Sequence, residues 1–123
     1  LQIVDRVELH VGGCAANTAI ALSKLGVSTA IIGAVGADGL GDFVAGAAAN
    51  AGVAVRGVRR LAEVPTAATT VCVHSDAERT FLHVPGANAA FTSADTDWSA
   101  TVNATIFHIA GAQLMTALEQ ENG

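Results

Sequence analysis

Glycines divide the first part of the chain into short segments of alternating character. Residues 3–10 are rich in Val, Ile and Leu without a helical stripe, which predicts a strand ended by Gly12 and Gly13. Residues 14–25 carry Ala and Leu at helical spacing, and a glycine follows them directly. Residues 27–35 are a continuous apolar run, which is typical of a strand buried on both faces. This alternation predicts an α/β fold with parallel strand pairing.

The middle of the chain continues the alternation and then changes character. Residues 36–41 form a glycine-rich turn in which Asp38 is placed to cap a helix over residues 41–51. Further on, residues 66–74 and 79–84 are two β-rich runs separated by four polar or small residues. This arrangement predicts an antiparallel hairpin.

The last part of the chain predicts three more elements. Residues 92–95 (TSAD) resemble a capping box with Asp in place of Glu, which predicts a short helix as far as Trp98. Residues 105–110 predict a buried strand, and residues 113–120 predict a helix.

Length, charge and cysteine usage exclude several classes of protein. A chain of 123 residues fits one domain. Its net charge of −5 argues against a nucleic-acid partner, because phosphate binding requires clustered Lys and Arg. Cys14 and Cys72 belong to no metal-binding pattern, so we expect two free thiols and no metal site. No leader or long apolar span is evident, so we expect a cytoplasmic protein without membrane contact.

The segment GGCAAN at residues 12–17 has the chemistry of a binding surface for a polyhydroxylated ligand. Gly12 and Gly13 have no side chain, so a ligand can approach their backbone amides closely. Asn17 offers both donors and an acceptor, which suits neighbouring hydroxyl groups. The alternatives are a simple strand-to-helix turn for the glycines and a local backbone hydrogen bond for Asn17.

Several further motifs follow in order: GADGLG at residues 36–41, AGV at 51–53, PT at 65–66, ERTF at 78–81, GANA at 86–89 and FHIAG at 107–111. Together with the first signature, this series resembles the ribokinase-like (PfkB) family of carbohydrate kinases. The resemblance extends over nearly the whole chain. It corresponds to the N-terminal portion of a family member.

The resemblance implies a partial Rossmann-like α/β core of the ribokinase type that carries a small β-sheet lid. Residues 1–123 would be a single partial domain, with lid strands at roughly residues 1–11 and 53–84. The parent protein would be an ATP-dependent kinase that phosphorylates a hydroxyl group of a sugar or nucleoside. This chain would supply the lid and part of the sugar pocket, and the lid could also pair two copies into a homodimer.

The resemblance also implies which residues contact the sugar. Gly12, Gly13 and Asn17 carry over from the first signature, and Asn17 is the strongest single candidate. Thr69 would face the sugar from the lid, although ordinary hairpin packing explains it equally well. Gly111 follows a predicted strand that would end beside the sugar. Which sugar is bound stays open, in part because Cys14 stands where ribokinases often have Lys.

The catalytic residues of the family have no counterpart in the chain. The GAGD box, which supplies the base and the amides that hold the transferring phosphate, is absent from the sequence. Asp38 superficially echoes that box, but it belongs to the GxDxxG turn, where capping is the expected role. We therefore expect no catalytic residue here. ATP and Mg²⁺ would be bound mostly by residues outside the chain, and the chain alone would be inactive.

Two other hypotheses belong to different classes. The first is a non-catalytic sugar-binding module, which would bind a sugar without consuming ATP. The second is one half of a dinucleotide-binding domain. It is disfavoured because no GxGxxG motif follows the first predicted strand.

Overall fold

The architecture is α/β and is seen in a computed structural model that describes residues 3–120. The helices are α1 (Cys14–Lys24), α2 (Gly39–Asn50), α3 (Gly86–Ala90) and α4 (Thr116–Gln120), with 3₁₀ turns at Ser93–Asp95 and Trp98–Thr101. The strands are β1 (Ala30–Gly36), β2 (Ala54–Leu61), β3 (Ala68–Val73) and β4 (Arg79–Val84). No helix between residues 3 and 120 is both long enough and apolar enough to cross a membrane.

Strands β1 and β2 pair in parallel and α2 connects them, which makes a β–α–β unit. Gly36 at the end of β1 lies opposite Leu61 at the end of β2. Helix α2 ends where Gly52 adopts a positive φ of 85°, a conformation that favours glycine. Helices α1 and α2 both contact β1. The predicted α/β fold with parallel strand pairing is therefore confirmed, although the partner of β1 is β2 and not residues 3–10.

The core of this unit is built from small side chains. Ala19 of α1, Ala48 of α2 and Val53 are 8%, 2% and 3% exposed. The half-buried side chains that pack against them are Ile20, Ile31 and Val55. Because its buried side chains are small, this core buries little apolar area per residue.

Strands β3 and β4 form a separate antiparallel sheet, in which Ala68 lies opposite Val84 and Val73 opposite Arg79. The predicted hairpin is confirmed. The predicted lid range of residues 53–84 also included residues 54–61, but these form β2 and pair with the core strand β1. The lid that we retain as a proposal is therefore the β3–β4 hairpin alone.

Two predicted strands are wrong. Residues 3–10 and residues 105–110 have no regular secondary structure. Side chains such as Val7 and Ile106 are 89% and 82% exposed, and neither segment pairs with a strand among the described residues. Strand propensity without a pairing partner does not fix a strand. The part of the predicted lid strand that falls on residues 1 and 2 lies outside the described residues.

Near the end of the chain the local signals are correct but the helices are short. The predicted capping box forms, with the Thr92 N–H donating to Asp95 Oδ2 at 3.0 Å. It opens a single 3₁₀ turn over Ser93–Asp95 in place of the predicted α-helix. The helix predicted for residues 113–120 is confined to Thr116–Gln120.

Candidate functional site

The Gly12–Gly13 pair connects the irregular first segment to α1 and leaves an open surface. Gly13 has a φ of 96°, which favours glycine, and its carbonyl accepts the first helical hydrogen bond from the Asn17 N–H at 2.9 Å. A Cβ on Gly12 would contact nothing within 4 Å, and its φ lies outside the left-handed region. The packing of the described residues thus gives no reason for glycine at residue 12, whereas a ligand against its backbone would.

Two adjoining cavities of about 240 Å³ each meet at this turn. The hairpin cavity lies against the hairpin and α2, and its polar lining residues are His10, Thr66, Thr69, His83 and Asn88. The strand cavity lies against β1, and its lining is mostly apolar. Both cavities are lined by Gly12, Gly13, Val44, Thr66, Ala67, Asn88 and Leu114. The hairpin cavity is the one that offers a set of polar side chains to a ligand.

The structure brings together some of the predicted sugar-binding residues and separates one of them. Gly12 and Gly13 line both cavities, and Thr69 lines the hairpin cavity. Gly111 lines the strand cavity. Asn17 lies on α1 with an exposed side chain and lines neither cavity. All five assignments stay predictions, and Asn17 has the weakest geometric support.

The turn between β1 and α2 is fastened to the base of the hairpin by Asp38 and Thr66. Asp38 caps α2, accepting from the Gly41 N–H at 2.8 Å. It also accepts from the Thr66 N–H at 2.8 Å and from the Thr66 hydroxyl at 2.6 Å. The same hydroxyl accepts from the Gly36 N–H at 2.9 Å. The capping role predicted for Asp38 is confirmed. Its hydrogen bonds from Gly41 and Thr66 hold the turn, the start of α2 and the base of the hairpin together.

These hydrogen bonds set the charge state of Asp38. The Thr66 hydroxyl, followed by the N–H groups of Thr66 and Gly41, holds the pKa of the carboxyl below its usual value of 3.8. A carboxylate with a lowered pKa and donors on both oxygens is a poor general base. The geometry therefore supports the exclusion of Asp38 from catalysis.

The two ends of the hairpin are also fixed to each other. The Ala87 N–H donates to the Pro65 carbonyl at 2.8 Å, so the chain leaving the hairpin contacts the chain entering it. Gly86 has a φ of 47°, and a Cβ there would lie 2.3 Å from the Pro65 carbonyl oxygen. Glycine is required at residue 86 by both its conformation and its packing.

Sequence reasoning missed three residues of the hairpin cavity. Thr66 was noted only as part of a PT motif, although its side chain is 4% exposed and joins two elements. Asn88 lines both cavities from the short helix α3, within a GANA motif to which no role was given. No role was given to His83, which is exposed on β4 and lines the hairpin cavity. Its position opposite Thr69 in the hairpin register was the signal that could have identified it.

Comparison with known proteins gives the family. The model of the pfkB family carbohydrate kinases matches residues 1–122. Fructokinase-2 of Solanum lycopersicum is 32% identical over 106 residues, which are 85% of this chain and 32% of that protein. The chain thus spans about a third of the length of the curated relatives it matches.

Solved structures with the same fold agree. A fructokinase from Xylella fastidiosa superposes with a TM-score of 0.67 at 32% identity, covering 72% of this chain and 28% of that one. An Arabidopsis thaliana ribokinase, solved with ribose and ATP, gives 0.57 at 33% identity over 59% of this chain and 24% of that one. The partial ribokinase-type fold implied by the sequence motifs is confirmed. With a family model that matches almost its full length, this chain belongs to the pfkB family of carbohydrate kinases.

Proposed function

We propose that this chain is part of an ATP-dependent sugar kinase and supplies its lid and part of its sugar pocket. The observation that carries the proposal is the hairpin cavity, in which Gly12 and Gly13 of the core meet Thr69 of the hairpin. A ligand in this cavity would contact open backbone on one element and a hydroxyl on the other. The solved ribokinase relative, which holds ribose and ATP, supports the same class of substrate.

The lining of the cavities supports an uncharged sugar. None of the described residues that line either cavity is Asp, Glu, Lys or Arg. A phosphorylated or acidic sugar would require a cationic side chain to compensate its charge. Hydroxyl groups, amides and backbone N–H groups instead suit a neutral polyol. Fructose, ribose or a nucleoside would satisfy this chemistry.

Residues 3–120 do not form a binding site for the Mg²⁺ ion that a kinase reaction would require. Residues 3–120 contain no group of three His, Cys, Asp or Glu side chains that could hold a metal. The cavities offer no carboxylate to a divalent cation, which prefers oxygen ligands. Within the proposal, the base, the Mg²⁺ ligands and most of the ATP site would lie outside this chain. The role of the chain is then to bind and orient the sugar and to exclude water when the hairpin closes over it.

The hairpin also supports a second copy as partner. Leu82 and Val84 lie on the face opposite to that of Thr69 and His83 and are 60% and 48% exposed. Such apolar side chains on a two-stranded sheet favour association. We therefore propose a homodimer through the hairpin. The free, exposed thiols of Cys14 and Cys72 support a reducing compartment such as the cytoplasm.

The test uses the complete polypeptide that contains this chain. ADP formation is followed with D-fructose, D-ribose and a nucleoside in the presence of ATP and Mg²⁺, and binding of each sugar is measured by calorimetry. ADP formation that requires a sugar supports the proposal. Sugar binding without any ADP supports the non-catalytic binding module instead, and the absence of both overturns the sugar site.

A pair of glycine variants locates the site. Gly12→Val places a Cβ where no described atom outside the neighbouring residues lies within 4 Å, so we expect its side chain to occupy the cavity with little effect on the packing. Gly46→Val in α2 is the matched control, because residue 46 has equally open surroundings and lines neither cavity. We expect at least a tenfold loss of sugar affinity for Gly12→Val alone. Equal sugar affinities of the two variants would show that the Gly12–Gly13 turn is not part of the sugar site.

A further inference from the structure

The hairpin cavity contains a pair of exposed polar side chains, of which Thr69 was predicted to contact the sugar and His83 was not. Thr69 on β3 and His83 on β4 are direct cross-strand neighbours, and both line the cavity beside Gly12 and Gly13. Thr69 Oγ1 and His83 Nδ1 are 2.8 Å apart, which is a hydrogen bond. The pair therefore has a defined geometry in the wall of the proposed sugar site.

This hydrogen bond leaves one polar atom of the imidazole ring available. Between residues 3 and 120, no second hydrogen bond or ion pair involves the His83 ring. The ring nitrogens of a neutral histidine have complementary roles, so the direction of the bond to Thr69 decides whether Nε2 donates or accepts. A threonine hydroxyl can turn to suit either direction. The pair can thus present a donor or an acceptor to a ligand hydroxyl group.

His10, the other histidine that lines the hairpin cavity, has a carboxylate partner. Its Nε2 lies 3.1 Å from Glu8 Oε2, and both side chains are exposed. The only histidine lining the hairpin cavity without a carboxylate partner among the described residues is therefore His83.

We propose that His83, held by Thr69, is a further sugar-binding residue and helps to determine which sugar is accepted. Its Nε2 forms a hydrogen bond with one hydroxyl group of the sugar when the hairpin lies over the cavity. The inference rests on the proposed function, because it assigns a contact within the same site. It adds a side chain that was not among the predicted sugar-binding residues.

The hairpin carries its own control. His74 and Thr80 form a second His–Thr hydrogen bond, with Nε2 and Oγ1 3.0 Å apart. This pair lies near the far end of the hairpin and lines neither cavity. Both pairs join a histidine to a threonine, through Nδ1 in His83 and through Nε2 in His74, and only the first lines the cavity, so the comparison tests the effect of the location.

The experiment compares sugar binding by variants of the complete polypeptide. His83→Ala is expected to weaken binding of D-fructose or D-ribose roughly tenfold, as for the loss of one hydrogen bond, with KM for ATP unchanged. His83→Gln keeps a polar group near the position of Nε2 and is expected to recover part of the affinity. Thr69→Val is expected to give a smaller loss, and His74→Ala none. Circular dichroism checks that each variant is folded.

Deoxy sugars identify the contact itself. The unmodified polypeptide is expected to bind one monodeoxy analogue less tightly, whereas His83→Ala should not distinguish that analogue from the parent sugar. If all monodeoxy analogues are discriminated equally by both proteins, His83 does not contact the sugar and the inference is wrong, while the sugar site stands. If the unmodified polypeptide binds no sugar, the proposed function fails and the inference fails with it.

Discussion

Asp38 accepts both of the hydrogen bonds that Thr66 can donate, from its backbone N–H at 2.8 Å and from its hydroxyl at 2.6 Å. The two residues are 28 positions apart in the sequence. Thr66 also accepts from the Gly36 N–H, so a single buried side chain joins the end of β1, the start of α2 and the base of the hairpin. The position of the hairpin relative to the Gly12–Gly13 turn depends on this junction.

We expect Thr66→Val to destabilise the fold by roughly 1–3 kcal/mol, because it leaves the Gly36 N–H without its partner in a buried site. Valine has nearly the same shape, so packing changes little. The measurement is the urea midpoint of unfolding. Thr80→Val is the control, since that threonine is exposed on the hairpin, and its midpoint should be almost unchanged. Equal midpoints for the two variants would show that the junction contributes nothing to stability.

Two hydrogen-bonded carboxyl groups, those of Asp38 and Asp95, predict that the fold loses stability in acid. Hydrogen bonds from Thr66 to Asp38, and from Thr92 to Asp95, hold the pKa of each carboxyl below its usual 3.8. The unfolded chain therefore takes up these protons first as the pH falls. The resulting stabilisation is complete above pH 3.8 and is lost as the pH drops through the lower values of the folded state.

Acid titration of the unfolding midpoint tests this point. Asp38→Asn keeps a residue that caps helices well but cannot ionise. Its stability should fall less steeply than that of the unmodified protein on acidification below pH 3.8. Parallel curves would mean that Asp38 has the same pKa in both states.

The fold was predictable where local signals and pairing agree. In the β1–α2–β2 unit, the apolar strand β1 and the cap of α2 at Asp38 form as predicted, whereas β2 was expected in the lid and pairs with β1 instead. Residues 3–10 have the same strand-like composition, but no strand pairs with them in the described part of the chain. Composition alone cannot supply a pairing partner, so that prediction is wrong.

The site was predictable only in part, for a related reason. Gly12 and Gly13 belong to a short local motif, and they line both cavities. Thr66 enters the site through a tertiary contact with Asp38, which no local spacing reveals, whereas His83 could be placed opposite Thr69 only once the hairpin register was known. Asn17 is the opposite case, since its motif is strong and its side chain lies outside both cavities.

The two free cysteines provide a direct test of where the ligand binds. Cys14 is exposed and directly follows Gly13, which lines the proposed sugar site in the hairpin cavity, whereas Cys72 is exposed on the hairpin and lines neither cavity. We expect a bound sugar to slow alkylation of Cys14 severalfold and to leave Cys72 unaffected. Mass spectrometry of the complete polypeptide after timed labelling gives both rates in one sample. Equal slowing of alkylation at both thiols would show that the sugar affects the whole molecule and does not bind specifically beside Cys14.

A side chain at Gly86, which follows the hairpin, is expected to lower the stability of the fold through strain in the backbone. Its φ is 47°, and a Cβ would lie 2.3 Å from the Pro65 carbonyl oxygen, so Gly86→Ala must either strain the backbone or displace the hairpin base. We expect a loss of roughly 1–3 kcal/mol, comparable to other strained backbone positions. Gly46→Ala, inside α2 with no described atom within 4 Å of its Cβ position beyond the neighbouring residues and the backbone of the helix, should instead raise stability by about 0.5–1 kcal/mol. Thermal melting of both variants gives the signs directly. A Gly86→Ala variant as stable as the unmodified protein would mean that the hairpin base is free to move, and Ala67 and Thr69 would then not be held in a fixed cavity wall.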